Sequence, residues 1–536
     1  MAKGIEIPQV PPEQQTALVQ ELLALIERLA QRIQEQDERI GQLEDEVAVL
    51  KGEKKRPQFK PSRLDPGTDP KEEPAPGESS KRPGSAKRSK TAELAIDEER
   101  IIAPSEPIPP GSRFKGYRDV VVQDLIIRCH TIRYRLARWL TPDGRSLIGR
   151  LPASIGRRHF GPTLAGYVLY QHHHCQVTQP LLREQLREWG VEISAGQLDA
   201  LLTADKETFH QEKDAVLATG LSVSDYVTVD DTGARHRGRN GYTTHIGNDF
   251  FAWFASTAAK SRINFLELLR AGHTDYRIDA QALASMQHQG LAQAILRRLR
   301  EHPHRHFADR PQWETHLQKL GIGGERHRRI ATEGALLASV LHHGLPPDLV
   351  IVSDDAGQFD VLQHGLCWVH AERLIHKLIP LNDEHRQDIA AVRSQVWSLY
   401  ADLKAYKTCP SPAQATALRA RFEAIFTQKT RFATLDQTLK RIHRNRDELL
   451  RVLDHPTIPL HTNGSETAIR DYVKKKKVSG GTRSDLGRQC RDTFTSLKKT
   501  CRKLGVSFWQ YLSDRLFHTE DIPPLPDLIR QRASPG

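Results

Sequence analysis

The sequence predicts an α/β domain with largely helical flanks. Three observations carry that prediction. From about residue 221, strand-like runs rich in Val, Ile, Thr, Tyr and Phe alternate with helical ones. Two of these runs, "VTVDDTG" and "VIVSDDAG", stop on paired carboxylates, at Asp230 and Asp231 and at Asp354 and Asp355. A third acid, Glu466, opens a helix in "NGSETAIRDY".

The N-terminal stretch 13–54 is read as a coiled-coil helix. Leu22, Ile26, Leu29, Ile33, Ile40, Leu43, Val47 and Leu50 recur in alternating steps of four and three, with Gln36 in the one gap. Ile or Val on one seam position and Leu on the other favours a parallel two-stranded coiled coil, so a homodimer or higher assembly is expected. The competing reading is an amphipathic helix packed on its own protein. Residues 55–100 are rich in Lys, Pro, Glu, Ser and Gly and bury too little apolar surface to fold alone, so they read as a basic, Pro-rich linker. Residues 101–215 read as helical. Near 180–205, two short helices flank Gly190, with Ser194 as the cap of the second, the outline of a helix-turn-helix or of an ordinary helical hairpin. Residues 371–455 are helical by pattern, as is the segment from Ser484 to about Leu516, and the chain ends in a Pro-rich tail.

Composition narrows the partners. Lys and Arg number 78 against 66 Asp and Glu, a net charge of +12, which favours a polyanion, nucleic acid before an anionic membrane surface. Six cysteines in 536 residues make no disulfide framework and fit a reducing compartment. No apolar run is long enough for a signal peptide core or a membrane span, so the expectation is a cytoplasmic protein without a membrane partner.

Asp230 and Asp354 at strand ends and Glu466 on a covering helix would converge outside the carboxyl ends of the strands. Hard oxygen ligands of this kind suit Mg²⁺ or Mn²⁺, and two such ions activate an attacking hydroxyl and stabilise a leaving oxygen at a phosphodiester. Each acid also has a plain reading. Asp230 and Asp354 suit turns, Asn463 and Glu466 have capping-box spacing, and Arg470 lies one helical turn from Glu466. Asp231 and Asp355 compete with their neighbours, because strand alternation puts only one of each pair into a site. Cys367, His370 and His376, and separately "QHHHC" at 171–175, look metal-like, but their spacing favours packing.

These motifs resemble a known family. "VTVDDTG", "VSDDAGQF" followed by "GLCWVHAERLIHKL", and "TNGSETAIRDYVKKKKVSGGTRSDLGRQC" are similar to the core of the insertion-sequence-sixty-six family of bacterial DDE transposases, over roughly residues 120–515. The resemblance implies a ribonuclease-H-like core, here 221–480, with 371–455 as a helical insertion and 481–536 as a C-terminal helical region. It implies that Asp230, Asp354 and Glu466 are the catalytic, metal-binding triad. It also implies double-stranded DNA, both transposon ends and target, as the partner, with small accessory proteins of the same element. His370 would then lie near the second Asp and touch DNA. Asn463, Arg470, Lys474, Lys475, Lys476, Lys477 and Arg483 are the expected DNA contacts around the last motif, where Gly480 and Gly481 would allow close approach to phosphate. The sequence departs from the family in having Asp-Asp-Thr at the first acid, "DDAGQF" at the second and Thr467 after the Glu. It also lacks a Cys-x-x-Cys pair after the zipper, which argues against structural zinc. These departures keep two alternatives open: an inactive DNA-binding descendant, and a structure-specific nuclease on the same fold.

Overall fold

The structure, a computed structural model, describes Val19 and residues 95–152, 155 and 159–534. The heptad seam from Leu22 to Leu50 and most of the 55–100 linker lie outside the described residues. The chain divides into two units, Pro57–Ile132 and the remainder. In the first, residues 95–132 form no helix or strand and are exposed.

The second unit holds the regular structure among the described residues. The helical expectation for 101–215 needs correcting over its first half. Residues 101–160 contain no described helix; a short antiparallel hairpin, Arg138–Leu140 with Ser146–Ile148, stands there instead. The reason is local: Val120, Val121, Val122, Ile126 and Ile127 are β-branched and stiff at χ1, which lowers helix propensity. Beyond residue 160 the first helix is α1 (Pro162–Leu169), followed by one π-turn, Tyr170–His174. The expected helix pair is present as α2 (Gln179–Glu188) and α3 (Ala195–Thr203). Ser194 and Gln197 form a reciprocal capping box at the start of α3, while Leu182, Leu186, Leu198 and Leu202 are buried. Helix α4 (Glu207–Ser222) leads into the sheet.

Five strands form one mixed sheet: β1 (Tyr226–His236), β2 (Arg239–Gly247), β3 (Ala252–Thr257), β4 (Val350–Ser353) and β5 (Gln363–Leu366), in the order β3-β2-β1-β4-β5. The first three are antiparallel, and β4 and β5 run parallel to β1. Strand β1 does not end on Asp230, as the residue types suggested, but runs six residues further, to His236. Its turn is at Arg237 and Gly238, both with positive φ (48° and 76°), the two-residue geometry that matches strand twist. Asp, Thr and Gly hold strand conformation here because β2 pairs with every residue from Thr228 to His236.

Alternation sorts the two faces. Val227, Val229 and Ile351 pack with Phe265, Leu266 and Leu336 of α5 (Arg262–Leu269) and α6 (Glu325–His342). Val350 and Val352 face the other way. They share a core with α7 (Trp368–His376), α8 (Asp383–Tyr406), α9 (Pro412–Thr427) and α10 (Ala433–Arg444), through Trp368, Ile375, Val392, Leu399, Phe422 and Leu439. Helix α11 (Asn463–Ser479) lies on this second face, where Ser465 meets Thr228. Helix α12 (Asp485–Lys503) covers the edge strand β3. Asp492, Ser496 and Thr500 accept the amides of Ser256, Phe254 and Ala252 at 2.8, 2.8 and 3.2 Å. Four helical residues rise about 6 Å and two strand residues about 6.8 Å, so one helix face keeps pace with every second amide. After α13 (Phe508–Phe517), the Pro-rich tail is itself helical as α14 (Leu525–Ala533), with Leu525 and Ile529 buried.

Candidate active site

The parallel ladder places the first two acids. Tyr226 registers with Val350 and Thr228 with Val352. Two residues on, on the same face, the chain reaches Asp230 on β1 and Asp354 just past the end of β4. Strand β4 stops at Ser353 while β1 continues, so Asp230 stands where its parallel neighbour gives out. Asp230 is half-buried, and its carboxylate accepts the Asp231 amide at 2.7 Å. Burial, then the charges of Asp354, Asp231 and Glu466, push its pKa up to about 6, while that amide pulls the other way. Asp354 accepts the amide of Ala356 at 3.2 Å, which shapes the loop after β4.

The adjacent acids are engaged elsewhere. Asp231, on the opposite face of β1, pairs with Lys260 at 3.0 Å and accepts from Gln358 at 2.7 Å. Asp355 pairs with Arg441 of α10 and accepts from Asn445, both at 3.1 Å. Arg262 steadies the same loop, donating to the Gly357 carbonyl at 2.8 Å and meeting Asp360 and Glu333.

Glu466 sits in the first turn of α11. The capping-box reading of Asn463 and Glu466 does not hold: the cap is Thr462, with no side-chain cap bond, and Asn463 is already helical and half-buried. The turn is tied to the sheet by a buried chain in which Ser465 Oγ donates to Thr228 Oγ1 at 2.7 Å and lies 3.1 Å from His245 Nδ1. Arg470 is exposed; among the described residues, the ion-pair partners of Glu466 are on α7, Arg373 Nη1 at 3.4 Å and His370 Nε2 at 3.5 Å, both at Oε1. Contact with Cys367, and in smaller part the Glu466 charge, hold the His370 imidazole above its ordinary pKa despite burial.

Among the described residues, no group of three or more His, Cys, Asp or Glu side chains stands close enough to hold a metal ion. The donor chemistry nevertheless fits a divalent cation. The charges of Asp354 and Glu466 both bear on Asp230, and neither Asp230 nor Asp354 has an ion-pair partner among the described residues. Glu466 is turned toward α7, where it meets His370 and Arg373. Cys367 is buried, and His376 is exposed at the far end of α7. In "QHHHC", His173 stacks on Phe494 and His174 on Tyr170, with ring centroids 4.4 and 4.6 Å apart, while His172 Nδ1 meets the Val177 carbonyl.

The basic run splits by helix face. Lys474, Lys477, Arg470 and Arg483 are exposed. Lys475 is buried: it follows Ala468 and Tyr472 on the inward face, and its ammonium donates to the His172 carbonyl at 2.5 Å. Burial, then Arg491 and Lys498, lower its pKa to about 7. Lys476 donates to the Gly233 carbonyl at 2.5 Å. Of the two glycines, Gly481 is the one packed closely against protein. A Cβ at Gly481 would stand 2.3 Å from the Arg235 carbonyl oxygen, where Thr482 and the β1–β2 tip exchange backbone hydrogen bonds. Arg373 was missed in the sequence, although its position three residues after His370 puts the two on one helix face. Nothing local marked Lys260 or Gln358.

Comparison with known proteins bears on this region. Residues 350–490, which carry Asp354, His370, Arg373 and Glu466 but not Asp230, match the Transposase IS66 family. The "Uncharacterized protein y4jO" of Sinorhizobium fredii is 46% identical over 321 residues, 59% of this chain and 100% of that protein. Among the described residues, no helix is long and apolar enough to cross a membrane. With its acid-bearing loop, α7 and α11 all inside the matched stretch, the chain belongs to the IS66 family of transposases.

Proposed function

We propose that this protein is a DDE-type DNA transposase on a ribonuclease-H-like core, with Asp230, Asp354 and Glu466 as its active centre. The observation that supports this most is the ladder register. It brings Asp230 and Asp354 to one face, under the helix turn that carries Glu466. Mg²⁺ or Mn²⁺ held by these carboxylates, two ions per centre, would supply charge neutralisation at the attacked phosphodiester. Asp230 and Asp354 present hard oxygen donors from neighbouring strands, and Glu466 completes the set from above. The exposed Arg470, Lys474, Lys477 and Arg483 steer the DNA backbone toward the acids. Water attacks the phosphodiester at the transposon end and frees a 3′-hydroxyl. That hydroxyl attacks a target phosphodiester, and the displaced oxygen leaves as the new target end. The phosphoryl group passes between oxygens with no protein-bound intermediate. Residues 13–54 pair two chains, so two centres act on two ends; α2 and α3 are the candidate end-reading pair. Small companion proteins of the same element complete the system.

The test is cleavage and joining of labelled duplex carrying the element's own ends, with Mg²⁺ or Mn²⁺. Wild type is expected to nick and join, and Glu466→Gln to bind without cutting. If both bind and neither cuts, even with companion proteins present, the chain is a DNA-binding remnant. Nicking without joining would identify a nuclease.

A further inference from the structure

Among the described residues, Glu466 differs from Asp230 and Asp354 in facing cations of the protein itself. Arg373 Nη1 and His370 Nε2 converge on one oxygen, Oε1, at 3.4 and 3.5 Å, and stand 3.3 Å from each other. Both come from one face of α7. That helix is anchored independently of Glu466: Trp368 donates from its amide to the Leu460 carbonyl and from Nε1 to the Leu449 carbonyl, both at 2.9 Å. The Arg373 side chain is 41% exposed, so its guanidinium spans from the acid to the surface.

This ion pair is built to exchange. It is a single contact at the long end of the range, and partly exposed pairs of this kind are weak. A guanidinium is a fork that prefers two parallel oxygens, which a phosphodiester offers and the present contact with Glu466 does not use. A divalent ion would therefore compete with Arg373, alongside His370, for Glu466, and a phosphate would compete with Glu466 for Arg373. We infer that Arg373 pairs with Glu466 in the free protein and passes to a DNA phosphate in the complex, so that DNA binding releases Glu466 to the metal. This rests on the proposed role of Glu466 as a metal ligand. Coupling of this kind is reciprocal: DNA tightens metal binding by the factor by which metal tightens DNA binding.

The test uses the full-length protein and Mn²⁺, titrated by the paramagnetic resonance of the free ion. Titrations are run with and without an end duplex in which a methylene group replaces the scissile bridging oxygen. Wild type is expected to bind Mn²⁺ about 5-fold or more tightly with the duplex than without it. Arg373→Gln is expected to bind Mn²⁺ tightly already without DNA, to show little further gain, and to hold the duplex more weakly. Arg373→Lys, which keeps the charge but not the fork, should lose the duplex gain while keeping weak Mn²⁺ binding in the free protein. If Glu466→Gln weakens Mn²⁺ binding but Arg373→Gln matches wild type in both titrations, the exchange is wrong and the role of Glu466 stands. If Glu466→Gln leaves Mn²⁺ binding unchanged, the metal role of Glu466 fails and the exchange fails with it.

Discussion

At the scale of single residues, the centre is a place where like charges are kept together. Asp230 is raised to about 6 by burial and by the neighbouring acids, against an ordinary carboxylate value of 3.8. The sign of the consequence follows. Between those values the folded chain holds a proton that the unfolded chain has lost. Stability therefore falls as pH climbs from about 4 to 6, and the cost is fully present above that. Asp230→Asn is expected to stabilise the metal-free protein by about 1–3 kcal/mol at pH 7.5 and by much less at pH 4. It should abolish cutting while leaving end binding intact. Denaturation at the two pH values and a gel-shift assay check both halves; loss of binding would mark Asp230 as structural. The lysine run gives a second contrast. Lys474→Gln and Lys477→Gln should each weaken DNA binding and lower the salt slope by about 1. Lys475→Gln should leave the salt slope alone, because its ammonium lies inside the fold against the His172 carbonyl.

At the scale of elements, two fittings hold the centre's frame. The tip of the β1–β2 hairpin is clasped by residues 480–485, where Thr482 exchanges backbone bonds with Arg235 and Arg237 and Asp485 pairs with Arg237 at 2.7 Å. The outer edge of the sheet is closed by α12, whose Asp492, Ser496 and Thr500 take the amides that an open edge would leave to solvent or to another chain. Asp492 carries the most, accepting from both the amide and the hydroxyl of Ser256. Asp492→Ala is expected to cost about 1–3 kcal/mol, because the buried partners are left unpaired. It should also speed hydrogen exchange at the Ser256 amide relative to that of Val229 in the sheet centre. Equal exchange at both would show that the helix does not guard this edge.

At the scale of the whole molecule, the family makes DNA the partner, and residues 13–54 are proposed to pair two chains. Leu29→Arg with Leu43→Arg should convert a dimer to a monomer in sedimentation, since a charge on the seam cannot be buried without a partner. A dimer that survives would place the association elsewhere in the chain. Much of this organisation was legible in advance. Strand and helix periods are local properties, so the alternation of strands and helices from about 221, the α2–α3 pair with its Ser194 cap and the helical stretch between β5 and α11 could be read from residue order. The hydrophobic pattern failed where propensity and pairing disagree. Asp230 to Gly233 look like a turn, yet β2 holds them in a ladder, and residues 101–160, read as helical, hold no described helix.

The residue types of the centre were determined by the sequence alone, because acids at the ends of apolar runs and an acid in a helix's first turn are patterns within a few residues of chain. Which acid of each pair turns toward the others was decided only by the tertiary structure. The register of β1 on β4 puts Asp230 on the face of Thr228 and Val352 and Asp231 on the other, and Asp355 is held by Arg441 and Asn445. The same is true of Lys475, which is indistinguishable from its neighbours until α11 is laid on the sheet. It is true of Arg373, whose meeting with Glu466 joins two helices far apart in the chain. A side chain's type is written locally, but the direction in which it points is set by packing against segments that the local sequence does not mention.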